Sequence, residues 1–241
     1  MRIDIYLYEN GFAGSRTDAK QKITEGLVSV NGTVVTKPSF DVDGEVEITV
    51  AEGSNKYASR GGIKLETAIN EFSFVVEGKL AIDVGASTGG FTDCLLRNGA
   101  KSVISLDSGS GQLVKELRCD PRVFVMENYN ARYIDPIDLP YVPELAVMDV
   151  SFISATYIIP SLCQCLAPGA DFICLIKPQF EAGKGKVGKG GIVKDEKVRR
   201  AAIEKVCDCA SAVGFECLGV VKSGITGGDG NIEYLAHFKK K

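Results

Sequence analysis

The sequence predicts an α/β chain, a mostly parallel, doubly wound sheet of seven strands preceded by a small α+β unit. Three observations lead there. Beyond residue 60, short apolar runs alternate with helical segments, the pattern of a parallel sheet whose strands are buried on both faces. The run "KLAIDVGASTGGF" hands the first of these strands to a helix through a glycine-rich turn, the usual ligand side of such a sheet. Residues 1–53 have another rhythm: a short helix, then two β-rich runs around Asn31-Gly32, a strong two-residue hairpin signal.

Each element has a local reason. Ser15 or Thr17 can cap a helix through Glu25, with Ala19, Ile23 and the following Leu27 on its apolar face and Gly26 to stop it. "GEVEITV" alternates, placing Val46, Ile48 and Val50 on one face. "AEGSNKYAS", residues 51–59, reads as a linker. The expected domain limits are 1–53 and 61–241, with 54–60 between them. In the second part, "SVISLD", "RVFVME", "ELAVMDVSF" and "ADFICLIK" read as strands. "GGFTDCLLRNG", "GQLVKELR" and "ATYIIPSLCQCL" read as helices, the last with Pro160 near its start or at a kink. A helix over 195–213 is capped by Asp195 and stopped by Gly214. "FECLGVVKS" and "NIEYLAHF" follow without a helix between them, which predicts an antiparallel edge.

Composition narrows the function. The chain has 241 residues, 45% of them hydrophobic, so it can bury a sizeable core. Its eight cysteines have no zinc-site spacing and there is one histidine; the cysteines read as small buried hydrophobes and no metal is expected. No run approaches the roughly 18 apolar residues of a membrane span, and Met1–Glu9 carries Asp4 and Glu9 rather than a signal-peptide pattern. A cytoplasmic protein is the expectation. A net charge of −3 argues against a broad electrostatic grip on nucleic acid but leaves room for a local basic stripe.

The glycine-rich turn lacks the Gly-Lys-Ser/Thr of a phosphate loop and the spacing of nicotinamide enzymes. Asp107 ends the second strand, where an acid can grip two ribose hydroxyls. Together these suit a cofactor with adenosine but no pyrophosphate, and S-adenosylmethionine fits. A tight packing turn, with Asp107 as turn former, explains the same residues. Four charged residues stand at element ends on this side: Lys64, Asp149, Lys177 and Glu233. Each alone reads as a solvated surface charge. Pro178 alters the reading for Lys177, because the residue before proline is held extended. A lysine so aimed, near carboxylates, is a candidate general base for a hydroxyl attacking a methyl sulfonium.

With those residues in view, the chain resembles the TlyA family, haemolysin-like ribosomal RNA 2′-O-methyltransferases. "GSRTDAKQKITEGLVSVNGTVVTKP" is similar to an S-four-type RNA-binding domain. "SRGGIKLETAI", "IDVGASTGGFTD", "MDVSFIS", "KPQFEAGKGKVGKGGIV" and "GNIEYL" resemble the family's catalytic blocks in order. The resemblance implies a Rossmann-like methyltransferase fold with an antiparallel last strand. It implies the Lys-Asp-Lys-Glu set of FtsJ-type enzymes on Lys64, Asp149, Lys177 and Glu233. It also implies an S-adenosylmethionine pocket at or near Asp83, Gly85, Ser87, Gly89, Asp107 and Asn130. The substrate it implies is a ribose of ribosomal RNA, a cytidine by expectation. RNA would be held by Arg16, Lys20, Lys22 and Lys37 in the first unit, and by Arg60, Lys184, Lys186 and Lys189 around the catalytic site. Three rivals stay open: a membrane-active haemolysin, a catalytically silent RNA-binding protein, and a nicotinamide oxidoreductase.

Overall fold

A computed structural model gives the fold. It describes all residues except 15, 25, 45, 51–55, 184, 228 and 229, and leaves the side chains of residues 17, 21 and 189 undescribed. The chain divides into two compact units, Met1–Asn55 and Lys56–Lys241.

The first unit opens with α1 (Ile3–Glu9) and α2 (Arg16–Thr24). The first helix was not expected, because Ile3, Ile5 and Leu7 alternate as a strand would. The i,i+4 pair Ile3 and Leu7 decides it: both are fully buried, while Ile5 is only half-buried. The caps assigned to Ser15 and Thr17, and the helix end at Glu25, lie outside the described residues and side chains. Past that end, Gly26 has φ +72 and its N–H reaches Ile23 O. Strands β1 (Val28–Val30) and β2 (Thr33–Val35) form the expected hairpin, with Val30 opposite Thr33. Asn31 and Gly32 both take positive φ, as a type I′ turn requires. Strand β3 (Ile48–Val50) pairs with β1 on its other side. It is shorter than "GEVEITV", yet Val46, Ile48 and Val50 pack on the same small core of Ile3, Leu7, Ala19, Ile23 and Val28.

The second unit begins with α3 (Gly61–Phe72), β4 (Leu80–Val84), α4 (Gly90–Arg97) and β5 (Ser102–Leu106). It continues through α5 (Lys115–Arg118), β6 (Val123–Met126), β7 (Leu145–Met148), α6 (Ile159–Cys165) and β8 (Asp171–Ile176). It ends with α7 (Pro178–Glu181), α8 (Glu196–Ala212), β9 (Phe215–Lys222) and β10 (Tyr234–Lys240). The strands lie in the order β6-β5-β4-β7-β8-β10-β9. β4 to β8 are parallel, and β10 runs antiparallel to both neighbours. The final pair thus forms the expected antiparallel edge, with β10 inserted between β8 and β9. Pro160 sits in the first turn of α6, where its missing N–H costs nothing. α5 is half the length expected for "GQLVKELR", and Pro178 starts a short helix that the sequence reading did not assign.

Alternate residues of each central strand feed two cores. Ile82, Val84, Ile104, Met148 and Phe172 pack with Leu162 of α6 and Val206 of α8. Ala81, Val103, Val147 and Ile173 pack with Leu65 of α3 and Leu95 of α4. Every residue of β8 is buried. A sheet buried on both faces exposes its chemistry only at the strand ends, and there the polar residues gather.

Candidate active site

The carboxyl ends of β4, β7 and β8 share one edge with the beginning of β10. The ladders fix this: Val84 pairs with Met148, Met148 with Cys174, and Ile176 with Tyr234. The residues just past those ladders are Gly85, Asp149, Lys177 and Glu233. Lys177 Nζ lies 2.5 Å from Asp149 Oδ1 and donates to Ser151 Oγ at 2.8 Å. The contact with Asp149 is one of charge; it lacks the alignment of a hydrogen bond, so Oδ1 has no hydrogen-bond donor. Lys64, from α3, donates to Glu233 Oε2 at 2.6 Å. That second pair is nearly closed to solvent, with Lys64 8% and Glu233 3% exposed. The four charged residues singled out in the sequence therefore form two ion pairs at one sheet edge.

Beside them is a cavity of about 480 Å³ at the point where strand order reverses around β4, a volume suited to a small-molecule cofactor. Gly85, Ser87, Asp107, Asn130 and Asp149 line it. A Cβ on Gly85 would collide with the Asp149 carbonyl, so only glycine lets the β4 turn lie against β7. Ser87 holds φ +48 and its N–H donates to Asp107 Oδ2 at 2.8 Å. Gly109 N–H donates to Asp107 Oδ1 at 2.7 Å, which fixes the carboxylate at the cavity wall. Asn130 caps a turn through its carbonyl oxygen, accepting from Arg132 N–H at 3.0 Å, so its amide N–H groups are not needed for that cap.

Asp83 and Gly89 support the site without lining the cavity. Gly89 has φ +99, and a Cβ there would strike Leu117, so it packs the turn against α5. Asp83 is fully buried behind the turn. Its Oδ2 accepts from Thr92 Oγ1 at 2.7 Å, and Thr92 in turn accepts from Ser105 Oγ at 2.7 Å. Its Oδ1 has no partner. Burial, aided by the charges of Asp149 and Asp107 and opposed by the Thr92 hydrogen bond, pushes its carboxyl up to about 7.

The loop after β7 supplies residues that the sequence reading passed over. Ser151 holds the Lys177 ammonium. Phe152 lines the cavity, is 92% exposed, and packs its ring 5.2 Å from that of Phe180. Its φ of +64 is a left-handed conformation that costs a bulky residue on the order of 1–3 kcal/mol. Gln112 accepts from Ser87 Oγ at 3.2 Å. The block "MDVSFIS" contains Ser151 and Phe152, but neither periodicity nor charge marks them. Asn231 in "GNIEYL" is buried and binds the backbone at both ends of its amide: Val193 N–H at 3.0 Å and Gly191 O at 2.9 Å. It thereby fastens the end of the glycine-rich basic loop beside Glu233.

The expected RNA-contacting residues are spread more widely. Arg16 donates to the buried Asp4 at 3.3 Å, as does Arg2 at 2.9 Å. Burial would raise the Asp4 carboxyl, but the two guanidinium groups overcome this and hold it below the usual carboxylate range. Lys22 is bound to Asp18 at 2.9 Å. Lys20 and Lys37 are exposed, and Lys37 lines an open groove of about 470 Å³ with Val34 and Phe40. Arg60 precedes α3 and is half-buried. Lys186 is exposed; Lys184 and the Lys189 side chain lie outside the described residues.

The site can hold a cation against carboxylates and a ribose against Asp107, and it presents an amine at the rim. Known proteins resemble the chain in sequence and in fold. The family described as FtsJ-like methyltransferase matches residues 57–240, and the S4 domain matches residues 1–48. Hemolysin A of Brachyspira hyodysenteriae is 46% identical over 243 residues, 99% of this chain and 99% of that protein. The 16S/23S rRNA (cytidine-2′-O)-methyltransferase TlyA of Mycobacterium tuberculosis is 42% identical over 235 residues, 97% of this chain and 88% of that one. A solved structure of a hemolysin-named protein from Streptococcus thermophilus is 43% identical, with a TM-score of 0.80 over 100% of this chain and 88% of that one. Among the described residues no helix is long and apolar enough to cross a membrane. The chain belongs to the FtsJ-like methyltransferases, in the TlyA family that joins an S4 domain to the catalytic fold.

Proposed function

We propose that this protein is a cytoplasmic enzyme that transfers a methyl group from S-adenosylmethionine to the 2′-hydroxyl of a ribose in ribosomal RNA, at a cytidine. In this reading residues 1–53 hold RNA, 54–60 link, and 61–241 catalyse. One observation carries it: the Lys177 ammonium is held by Asp149 and Ser151 at the edge of a cavity suited to the cofactor.

The cavity residues fit S-adenosylmethionine. Asp107 suits the ribose hydroxyls, and Asn130 has amide groups for the adenine. Gly85 opens the cradle that a Cβ would fill. The carboxylates of Asp149 and Asp107 on the cavity wall favour a positively charged ligand. When bound, the cofactor supplies an electrophilic methyl on a sulfonium. The protein does the rest. Asp149 and Ser151 orient Lys177, and the paired Lys64 and Glu233 fix the ribose beside it. Lys177, in its neutral form, accepts the 2′-hydroxyl proton as the oxygen forms its bond to the methyl carbon. Gly85, Asp107 and Asn130 would hold the cofactor, which would give up the methyl and leave as a neutral thioether. Asp149 stabilises the ammonium that results. Phe152, exposed at the rim, offers a face on which the target base can stack.

RNA is held by exposed cations: Lys20 and Lys37 from the first unit, and Lys186 from the glycine-rich loop. The test is transfer of labelled methyl to ribosomal RNA or ribosomal subunits, followed by mapping of ribose methylation. The wild-type chain is expected to mark a cytidine and Lys177→Ala to mark none. Equal labelling by the two proteins overturns the mechanism, and no labelling by wild type on any ribosomal RNA overturns the function.

A further inference from the structure

The segment Asp149–Ser154 carries Asp149, Ser151 and Phe152 to the mouth of the cavity. It does so in a left-handed turn at Phe152, and backbone of that kind persists only where its surroundings hold it. A buried cluster on the far side of the loop does the holding. Glu181 is 6% exposed. Its Oε1 accepts the Ala155 N–H at 2.7 Å and its Oε2 accepts the Ser154 hydroxyl. Lys205, reaching in from α8, donates to Glu181 Oε2 at 2.9 Å and to Ser154 Oγ at 3.1 Å. Both carboxylate oxygens are therefore spent on one short stretch of backbone and its counter-charge.

Glu181 ends α7, and α7 starts directly after Lys177. One turn of helix thus joins the amine at one end to an anchor for the loop at the other. The Lys177–Asp149 contact is made once directly and tied a second time through Glu181, Ser154 and Ala155. We infer that Glu181 is a positioning residue, one that sets the Asp149–Phe152 loop in register with Lys177. The inference rests on the methyl-transfer reading and deepens it. Glu181 touches no substrate. It acts through the loop, and a displacement of about 1 Å at a reacting group is enough to cost roughly 100-fold in rate.

The experiment is single-turnover methyl transfer at saturating S-adenosylmethionine and ribosomal RNA. It uses the full chain, at a temperature where circular dichroism shows each variant folded. Glu181→Ala is expected to lose roughly 10- to 100-fold. Glu181→Gln keeps an acceptor for the Ala155 N–H and is expected to recover to within about fivefold of wild type, a rescue that loss of bulk stability would not produce. Phe152→Ala is expected to cost less in the Glu181→Ala background than in wild type, since both changes act through one loop. A folded Glu181→Ala within about twofold of wild type overturns the inference, as does strict additivity with Phe152→Ala. If Glu181→Ala does not fold, Ser154→Ala removes one of the two loop attachments; a loss of roughly tenfold supports the inference and a change under about twofold overturns it. Failure of the wild-type chain to transfer methyl under the same conditions overturns the underlying reading instead.

Discussion

Strand β8 ends in two clusters of charge, and they are built differently. At its start, Asp171 accepts from His237 Nε2 at 2.9 Å and from Lys239 Nζ at 2.9 Å, and the His237 ring packs between Phe72 and Phe74. Both carboxylate oxygens are satisfied. Past its other end, Lys177 meets an Asp149 oxygen without a hydrogen bond, and nearby Asp83 keeps an oxygen with no partner at all. Buried polar groups are nearly always paired, and an unpaired one costs about 1–3 kcal/mol. The first end is finished as a piece of structure. The second holds polarity in reserve, next to a cavity. That difference separates a structural salt bridge from a site more clearly than the presence of charge does.

Removing the amine at each end tests this most sharply. Lys177→Ala is expected to slow methyl transfer by roughly 10³- to 10⁴-fold, the loss of a general base together with its orientation. Lys239→Ala, on the same sheet at the opposite edge, is expected to leave the rate within about twofold. Labelled-methyl assays on the two variants under identical conditions measure the contrast. Comparable losses would remove any distinction between the two ends.

Next in size is the buried pair of Lys64 and Glu233. Taking away one partner strands the other charge in a closed environment, at a cost of about 3–5 kcal/mol. Lys64→Met and Glu233→Leu are each expected to show that loss in urea unfolding. The double variant should recover most of the stability, because two apolar side chains replace two satisfied charges. It should remain inactive. A double variant that regained methyl transfer would show that this pair serves the fold and not the ribose.

Asp83 gives a smaller effect with a definite sign. Its carboxyl is pushed up to about 7 by burial, against roughly 3.9 in an unfolded chain. The folded protein therefore binds the proton more tightly than the unfolded one. The associated stability is fully present below about pH 3.9 and is lost as pH rises through about 7. Asp83→Asn removes this titration, so its stability should decline less than that of wild type between pH 5 and pH 8. The ceiling over that window is on the order of 3 kcal/mol, from the roughly two pH units between pH 5 and the folded value. Urea unfolding at the two pH values measures it, and an unchanged slope in Asp83→Asn would mean that Asp83 is not the group titrating.

Much of this arrangement was legible in the sequence, and the misses have physical causes. Strands that end in Asp107, Asp149 and Lys177 are visible because a charge closing an apolar run breaks the pattern. Asp195 and Gly214 bound α8 as cap and stop chemistry requires. Which charge pairs with which was not visible, since Lys64 and Glu233 lie 169 residues apart and only the insertion of β10 beside β8 joins them. Phe152 and Glu181 were missed for opposite reasons. An exposed phenylalanine in a loop carries no period, and a buried glutamate in a short helix reads as a surface charge. The first helix was missed because three alternating apolar residues fit a strand as well as a helix face.

The smallest effect is at the finished end. Burial would raise the Asp171 carboxyl, but hydrogen bonds from His237 and Lys239 outweigh it and hold it below the usual carboxylate range. Its folded pKa is thus lower than its unfolded one. The stability it contributes is present above about pH 3.9 and is lost as pH falls below that value, the reverse of Asp83. Lys239 is 41% exposed, so solvent screens its share, and Lys239→Ala is expected to cost under about 1 kcal/mol at neutral pH. Its signature is on the acid side: the variant should lose less stability than wild type between pH 5 and pH 3, because part of what holds the Asp171 carboxyl down has gone. The sheet would then carry opposite pH dependences at its two ends, at Asp171 of β8 and at Asp83 of β4. If Lys239→Ala steepens the acid loss instead, the satisfied end titrates through a group other than Asp171, and the contrast between the two ends of β8 narrows to their hydrogen bonds alone.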